Sequence, residues 1–215
     1  MAAGGVTGRV DSGHGLRGWL LPRDRPVRRY LQLNTGLAVQ GVGTGLVVHS
    51  TLGNMPWDVL HEGLAHSVGL LTLGGWMIAL GAVVLLLWLP LRERPGVGTV
   101  LNTLTAGLWA DLFLGVLTTP ESLGVQIAFG LLGVLAHGVG TAVYLGAGLG
   151  SGPRDGLMTG IVDRVGASVR TVRTSIEALA VAVGWAFGGT IGLMTLLYAI
   201  LVGWVVQAVL PLVRV

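Results

Sequence analysis

The sequence predicts an all-α polytopic membrane protein, with six transmembrane helices arranged as two inverted three-helix repeats. Three observations carry that expectation. The 215-residue chain is 52% hydrophobic and 11% charged, with mean hydropathy +0.77, a balance typical of integral membrane proteins and not of soluble domains. All 13 basic residues are arginine, and they cluster in short segments between long apolar runs. The chain also repeats itself. Residues 41–64 match 138–161 at a constant offset of 97, with 10 identities in 24 pairs where this composition gives roughly 2 by chance.

Taken in order, residues 1–29 are polar and Arg-rich and lack the apolar core of a signal peptide, so they read as a cytoplasmic tail. Apolar stretches long enough to cross a bilayer follow at about 30–51, 68–90, 97–117, 124–148, 171–188 and 190–213. The first carries Gln32, Asn34, Gln40 and His49 among many glycines. Such a helix is expensive against lipid, so protein is expected around it. The second is the strongest span and stops at Pro90, before Arg92-Glu93-Arg94-Pro95. Residues 118–123 link a first repeat, 30–117, to a second, 124–213.

Arginine sets the orientation. With a cytoplasmic N-terminus, Arg9, Arg17, Arg23, Arg25, Arg28 and Arg29 lie inside, as do Arg92, Arg94, Arg154, Arg164, Arg170, Arg173 and Arg214. The outer segments 52–67 and 118–123 and the Gly188-Gly189 turn contain none, which satisfies the positive-inside rule and puts both termini in the cytoplasm. Three spans per half, an odd number, turn the second repeat upside down relative to the first. Gln40 then faces His137. The third spans align at offset 96 (Thr99, Leu101 and Gly107 with Thr195, Leu197 and Gly203), which sets Asp111 against Gln207.

Polar residues at matched mid-span positions are what a shared central site requires. The candidate substrate-binding residues are therefore Gln40, Gly43, Thr44, Asp111, His137, Gly140, Thr141 and Gln207. The repeated Gly-Val-Gly-Thr segments supply small-residue surfaces for close helix packing, and the same glycines could leave room for a substrate. Leu-Gly-x-x-Pro-x-Asp also occurs twice. Gly53, Pro56 and Asp58 match Gly150, Pro153 and Asp155, with proline at a first helical position and an acid in the first turn. Each motif reads either as a capped interfacial helix or as a re-entrant segment whose start points at a central cavity.

Asp111 is a functional candidate as an acid within an apolar run, or an anchor at the outer interface. Glu177 pairs with Arg173 at i−4. His61 and His66 stand at i and i+5, the wrong spacing for a zinc-protease helix. His49 and His137 read as hydrogen-bonded packing residues. Gly41-x-Gly43 lies inside an apolar span, which is no context for a phosphate loop. Without a catalytic pair or cysteine chemistry, no enzyme, cofactor or metal site is expected.

The segments Gly148-Leu149-Gly150-Ser151-Gly152-Pro153-Arg154-Asp155-Gly156-Leu157-Met158, Pro56-Trp57-Asp58-Val59-Leu60 and Trp88-Leu89-Pro90-Leu91-Arg92-Glu93-Arg94-Pro95-Gly96-Val97-Gly98-Thr99 resemble the YczE-like bacterial membrane proteins, a group related to the YitT-type proteins. The resemblance covers about 30–210 and implies a small, multi-pass bacterial plasma-membrane protein; it brings no substrate or catalytic residue with it. The first copy lacks the glycine before proline that the second has as Gly152.

The leading functional expectation is a secondary transporter or permease for a small solute, with its site between the inverted halves. The alternative is a non-transporting scaffold or assembly partner that docks through its arginine-rich face. Expected partners are the lipid bilayer, a small-molecule solute and, in a homodimer, a second copy of the chain. The arrangement of the arginines speaks against nucleic acid.

Overall fold

The computed structural model describes residues 24–215; Arg9, Arg17 and Arg23 of the Arg-rich tail lie outside them. All regular structure among the described residues is helical. In order the elements are α1 (Pro26–Ser50), α2 (Pro56–Val68), α3 (Leu73–Leu91), α4 (Val97–Val116), α5 (Leu123–Gly146), α6 (Pro153–Val165), α7 (Val169–Ala186) and α8 (Leu193–Val213). Six of these fall within a few residues of the six apolar stretches, and α2 and α6 are the two Pro-x-Asp segments.

By length and composition, α3, α4, α5 and α8 are apolar enough to cross a membrane. Helices α1 and α7 are not among them. The amides of Gln32, Asn34 and Gln40 dilute α1, and Arg170, Arg173 and Glu177 dilute α7.

Local chemistry explains where the helices begin and end. Proline opens α1, α2 and α6, where its missing N–H costs nothing. Thr72, Ser122 and Ser168 cap α3, α5 and α7 by accepting from the amides of Gly75, Val125 and Thr171. The two short helices, each of 13 residues, stop at Gly69 and Gly166, with φ of 67° and 69°, a left-handed turn that glycine adopts without strain.

The centre of the molecule is the crossing of α1 and α5, whose backbones touch. A Cβ added at Gly43 would lie 2.6 Å from the His137 amide nitrogen and 2.7 Å from the Gly133 oxygen. One added at Gly140 would lie 2.6 Å from the Gln40 amide nitrogen and 2.6 Å from the Gly36 oxygen. Only glycine allows this approach. Around the crossing, α4 packs on α1 and α8 on α5, while α2 packs on α7 and α6 on α3.

Contacts recur at the repeat offsets. The Met194 amide donates to the Leu52 oxygen at 3.0 Å, and the Gly98 amide to the Leu149 oxygen at 2.8 Å. Gly53 (φ 101°) lies against Gly192, and Gly150 (φ 131°) against Gly96 and Thr99. Where α2 meets α7, Val59 and Leu60 press on Gly184; where α6 meets α3, the Trp88 ring presses on Gly156. The large and small partners have changed sides.

One contact does not recur. Gly74 packs against Gly107, and Gly81 against Thr103, to join α3 and α4, but α7 and α8 share no comparable seam. Gly203 of α8 stands where Gly107 stands in α4, yet a Cβ there would meet nothing within 4 Å.

Candidate functional site

Beside the α1–α5 crossing, and between the starts of α2 and α6, lies a cavity of about 310 Å³. The two Pro-x-Asp starts meet there. Trp57 and Arg154 hold the same place in the two copies, and the Arg154 guanidinium carbon sits 4.5 Å from the Trp57 ring centroid, within cation–π range. Arg154 Nη2 also lies 3.4 Å from His61 Nε2, and His61 Nδ1 lies 3.0 Å from Asp58 Oδ1.

This order fixes the protons. A guanidinium only donates, so Nε2 of His61 accepts and Nδ1 donates to Asp58. The imidazole is therefore a neutral link between a guanidinium and a carboxylate. Asp58 is 2% exposed, and its Oδ2 is buried without a partner. In the second copy the phenol of Tyr144 donates to Asp155 Oδ2 at 3.2 Å.

The matched pair at the crossing completes the wall. Gln40 Nε2 donates to Thr141 Oγ1 at 2.7 Å, and that hydroxyl donates onward to the His137 oxygen at 2.8 Å. His137 Nδ1 faces the Tyr198 hydroxyl at 3.2 Å, with the rings edge-on and their centroids 5.3 Å apart. Arg173 and Glu177 of α7 pair at 2.9 Å, as their spacing predicts, and both reach the cavity wall.

Of the residues expected at a central site, Gln40, His137, Thr141 and Gln207 line the cavity, together with Asp58, Pro153 and Asp155 from the helix starts. Gly43, Thr44 and Gly140 are spent on helix contact, Thr44 being fully buried. Pro56 opens α2 behind Trp57, and Gly53 and Gly150 shape the turns before the short helices.

Asp111 does not join this group. Its carboxylate accepts from Thr72 Oγ1 at 2.5 Å and from the Gly74 amide at 2.8 Å, so it holds the start of α3 against α4. His49 bonds to Thr119 and to the Leu114 oxygen, which is a packing role.

Sequence reasoning missed Trp57, His61, Tyr144, Arg154 and Tyr198. Arg154, counted with the cytoplasmic arginines, stacks on Trp57 at the cavity wall. The signal available for His61 was its place three residues after Asp58, one turn along the same face of a helix.

The chain matches the family of unknown function DUF6198 over residues 27–211 and belongs to it. It is 40% identical to an uncharacterized protein of Haemophilus influenzae over 82% of this chain and 81% of that one. It is 36% identical to the uncharacterized membrane protein YczE of Bacillus subtilis over 86% of each chain. Its identity to the uncharacterized protein YyaS of the same species is 30%, over 86% of this chain and 94% of the other. No solved structure matches.

Proposed function

We propose that this DUF6198 membrane protein is a secondary transporter or permease for a small solute, built from two inverted repeats related by an axis in the membrane plane. On this reading, six helices cross the bacterial plasma membrane, with α2 and α6 as re-entrant segments and both termini in the cytoplasm. Proteins of this design place their site where the repeats meet.

The internal repetition supports the inverted arrangement. Gly36 meets Gly140 and Tyr144, and Gly43 meets His137 and Gly133. Adding 97 to each α1 residue and subtracting 97 from each α5 residue returns the same contacts. The reciprocal bonds from Met194 to Leu52 and from Gly98 to Leu149 obey the same relation to within one residue.

The observation that carries the functional reading is the make-up of the cavity wall. Gln40 with His137, Trp57 with Arg154, and Asp58 with Asp155 are equivalent residues of the two copies, and all six line one cavity. Polar and charged groups at such a position are costly, and by default they mark a functional site. The unequal seams supply a mechanism: with α3–α4 sealed and α7–α8 apart, exchange of the two conformations between the halves would move access from one membrane face to the other.

Uptake of a panel of labelled cationic, neutral and anionic solutes into proteoliposomes tests this. Wild-type protein should carry at least one solute class that Gly203→Trp, which fills the cavity from an open position, does not. Equal flux through both proteins for every class would refute the reading. A reporter fused at Val215 and active only outside the cytoplasm would refute the orientation.

A further inference from the structure

We propose that the central cavity is selective for a small organic monocation bearing N–H donors, a protonated amine, with Asp58 as its anchor. This rests on the cavity being the solute site and names the class of solute. The charges around the wall set the sign. Asp58, Asp155 and Glu177 are set against Arg154 and Arg173. Glu177 is neutralised by Arg173 at 2.9 Å, which leaves two carboxylates facing one guanidinium. His61 adds no charge, because its Nε2 must accept from Arg154. One negative charge is uncompensated.

The hydrogen bonding sets the donor. Asp155 has the Tyr144 phenol, and the Oδ1 of Asp58 has the His61 imidazole. The Oδ2 of Asp58 has nothing, although the residue is 2% exposed. A buried carboxylate oxygen without a donor is among the costliest vacancies a protein can keep. An ammonium N–H in the cavity meets the charge, and it meets the missing bond once the Asp58 side chain turns its sealed Oδ2 toward the guest.

The remaining wall suits the same guest. Tyr144 and Tyr198 present aromatic surface, which attracts cations, and about 310 Å³ is room for several non-hydrogen atoms beside an ammonium head. One uncompensated negative charge is balanced by one positive charge, so a monocation leaves the cavity neutral whereas a dication leaves it with a buried excess charge.

The chain contains no cysteine, and a side chain at Gly203 would meet nothing within 4 Å, so Gly203→Cys puts one reporter thiol on the cavity wall. Its labelling by aminoethyl methanethiosulfonate, a primary ammonium, is compared with labelling by the sulfonatoethyl reagent, each normalised to free cysteine. The cationic reagent should be faster by ~10-fold or more, the scale at which a charged, low-dielectric cleft concentrates opposite charge. Asp58→Asn, which keeps the shape and the His61 acceptor, should remove most of that preference.

Butylammonium should slow the labelling, and butanol, of similar size, should not. Equal or anion-favoured labelling, or protection by butanol as good as by butylammonium, would overturn cation selectivity and leave a solute cavity standing. No labelling by either reagent would instead show that water does not reach the cavity, which overturns the transport reading itself. If Asp58→Asn does not fold, the wild-type-background ratio and the butylammonium protection still decide the question.

Discussion

Between α3 and α4 the first half is sealed by glycines, Gly74 on Gly107 and Gly81 on Thr103, whereas between α7 and α8 the second half stands apart. The replacements explain the difference. Arg170 and Glu177 occupy the places of Gly74 and Gly81. A charged side chain of that size cannot enter a backbone-to-backbone contact, and it is costly to bury. Both seams line the cavity, the first as a closed helix contact in which Gly81, Thr103 and Gly107 reach the wall, the second as a gap. The corresponding helices of the two halves thus differ: α3 and α4 are in close contact, and α7 and α8 are not.

Equivalent substitutions in the two halves should therefore behave oppositely. The largest effect is expected at Gly107 and Gly203. Gly107→Leu drives a branched side chain into the Gly74 backbone and should cost ~3 kcal/mol or more, seen as loss of folded protein in a detergent melt. Gly203→Leu enters open space and should melt near wild type while narrowing the cavity. Equal melting of the two variants would abolish the distinction between the seams.

Next in size is the exchanged packing of the short helices. Trp88→Ala should cost ~3–5 kcal/mol, because the ring fills the space over Gly156 and its Nε1 donates to the Pro153 oxygen at 2.9 Å. At the matching place in the second half, Gly184→Ala adds a Cβ 2.5 Å from the Leu60 backbone and should push α2 away from α7. Adding bulk hurts in one half and removing it hurts in the other, and thermal melts of both variants check this.

The matched pair at the crossing should show the reverse balance between stability and function. Gln40→Ala with His137→Ala removes the bonds to Thr141 and Tyr198, worth ~1 kcal/mol each. The double variant should insert and fold but lose uptake. Wild-type uptake from a well-folded double variant would remove these side chains from the site.

The smallest effect sharpens the comparison at the pair Asp111 and Gln207. Asp111→Asn weakens the hold on the α3 start and should cost ~1 kcal/mol with uptake retained. Gln207→Ala should leave the melt unchanged and alter uptake, because Gln207 lines the cavity and Asp111 does not.

How much of this could be read from the chain follows from what repetition preserves. The Gly-Val-Gly-Thr crossing and the Pro-x-Asp starts were legible because their residues are identical in both copies, and identity at a fixed offset marks the contacts both halves still share. His61 and Arg154 join Asp58 from positions where the copies differ: His61 faces Met158 across the alignment, and Arg154 faces Trp57. A search for identity discards such positions. At the meeting point of two repeats, however, residues that differ can complement each other, as a guanidinium complements an indole face. Hydropathy left Asp111 open between a site and an anchor for another reason, since it gives depth along a span but not which neighbouring helix start the carboxylate will hold.

The central claim is that the two seams exchange states, and it can be tested by distances across both. Val83 and Leu108 flank the α3–α4 seam, and Leu179 and Trp204 are their equivalents at α7–α8; all four are exposed. With no native cysteine, spin labels can be placed as two separate pairs in nanodiscs and their separations read by double electron–electron resonance. Exchange predicts the same two distances in both pairs with opposite weights, the shorter dominant at α3–α4 and the longer at α7–α8. A single fixed distance in each pair, unmoved by every solute of the uptake panel, would contradict it.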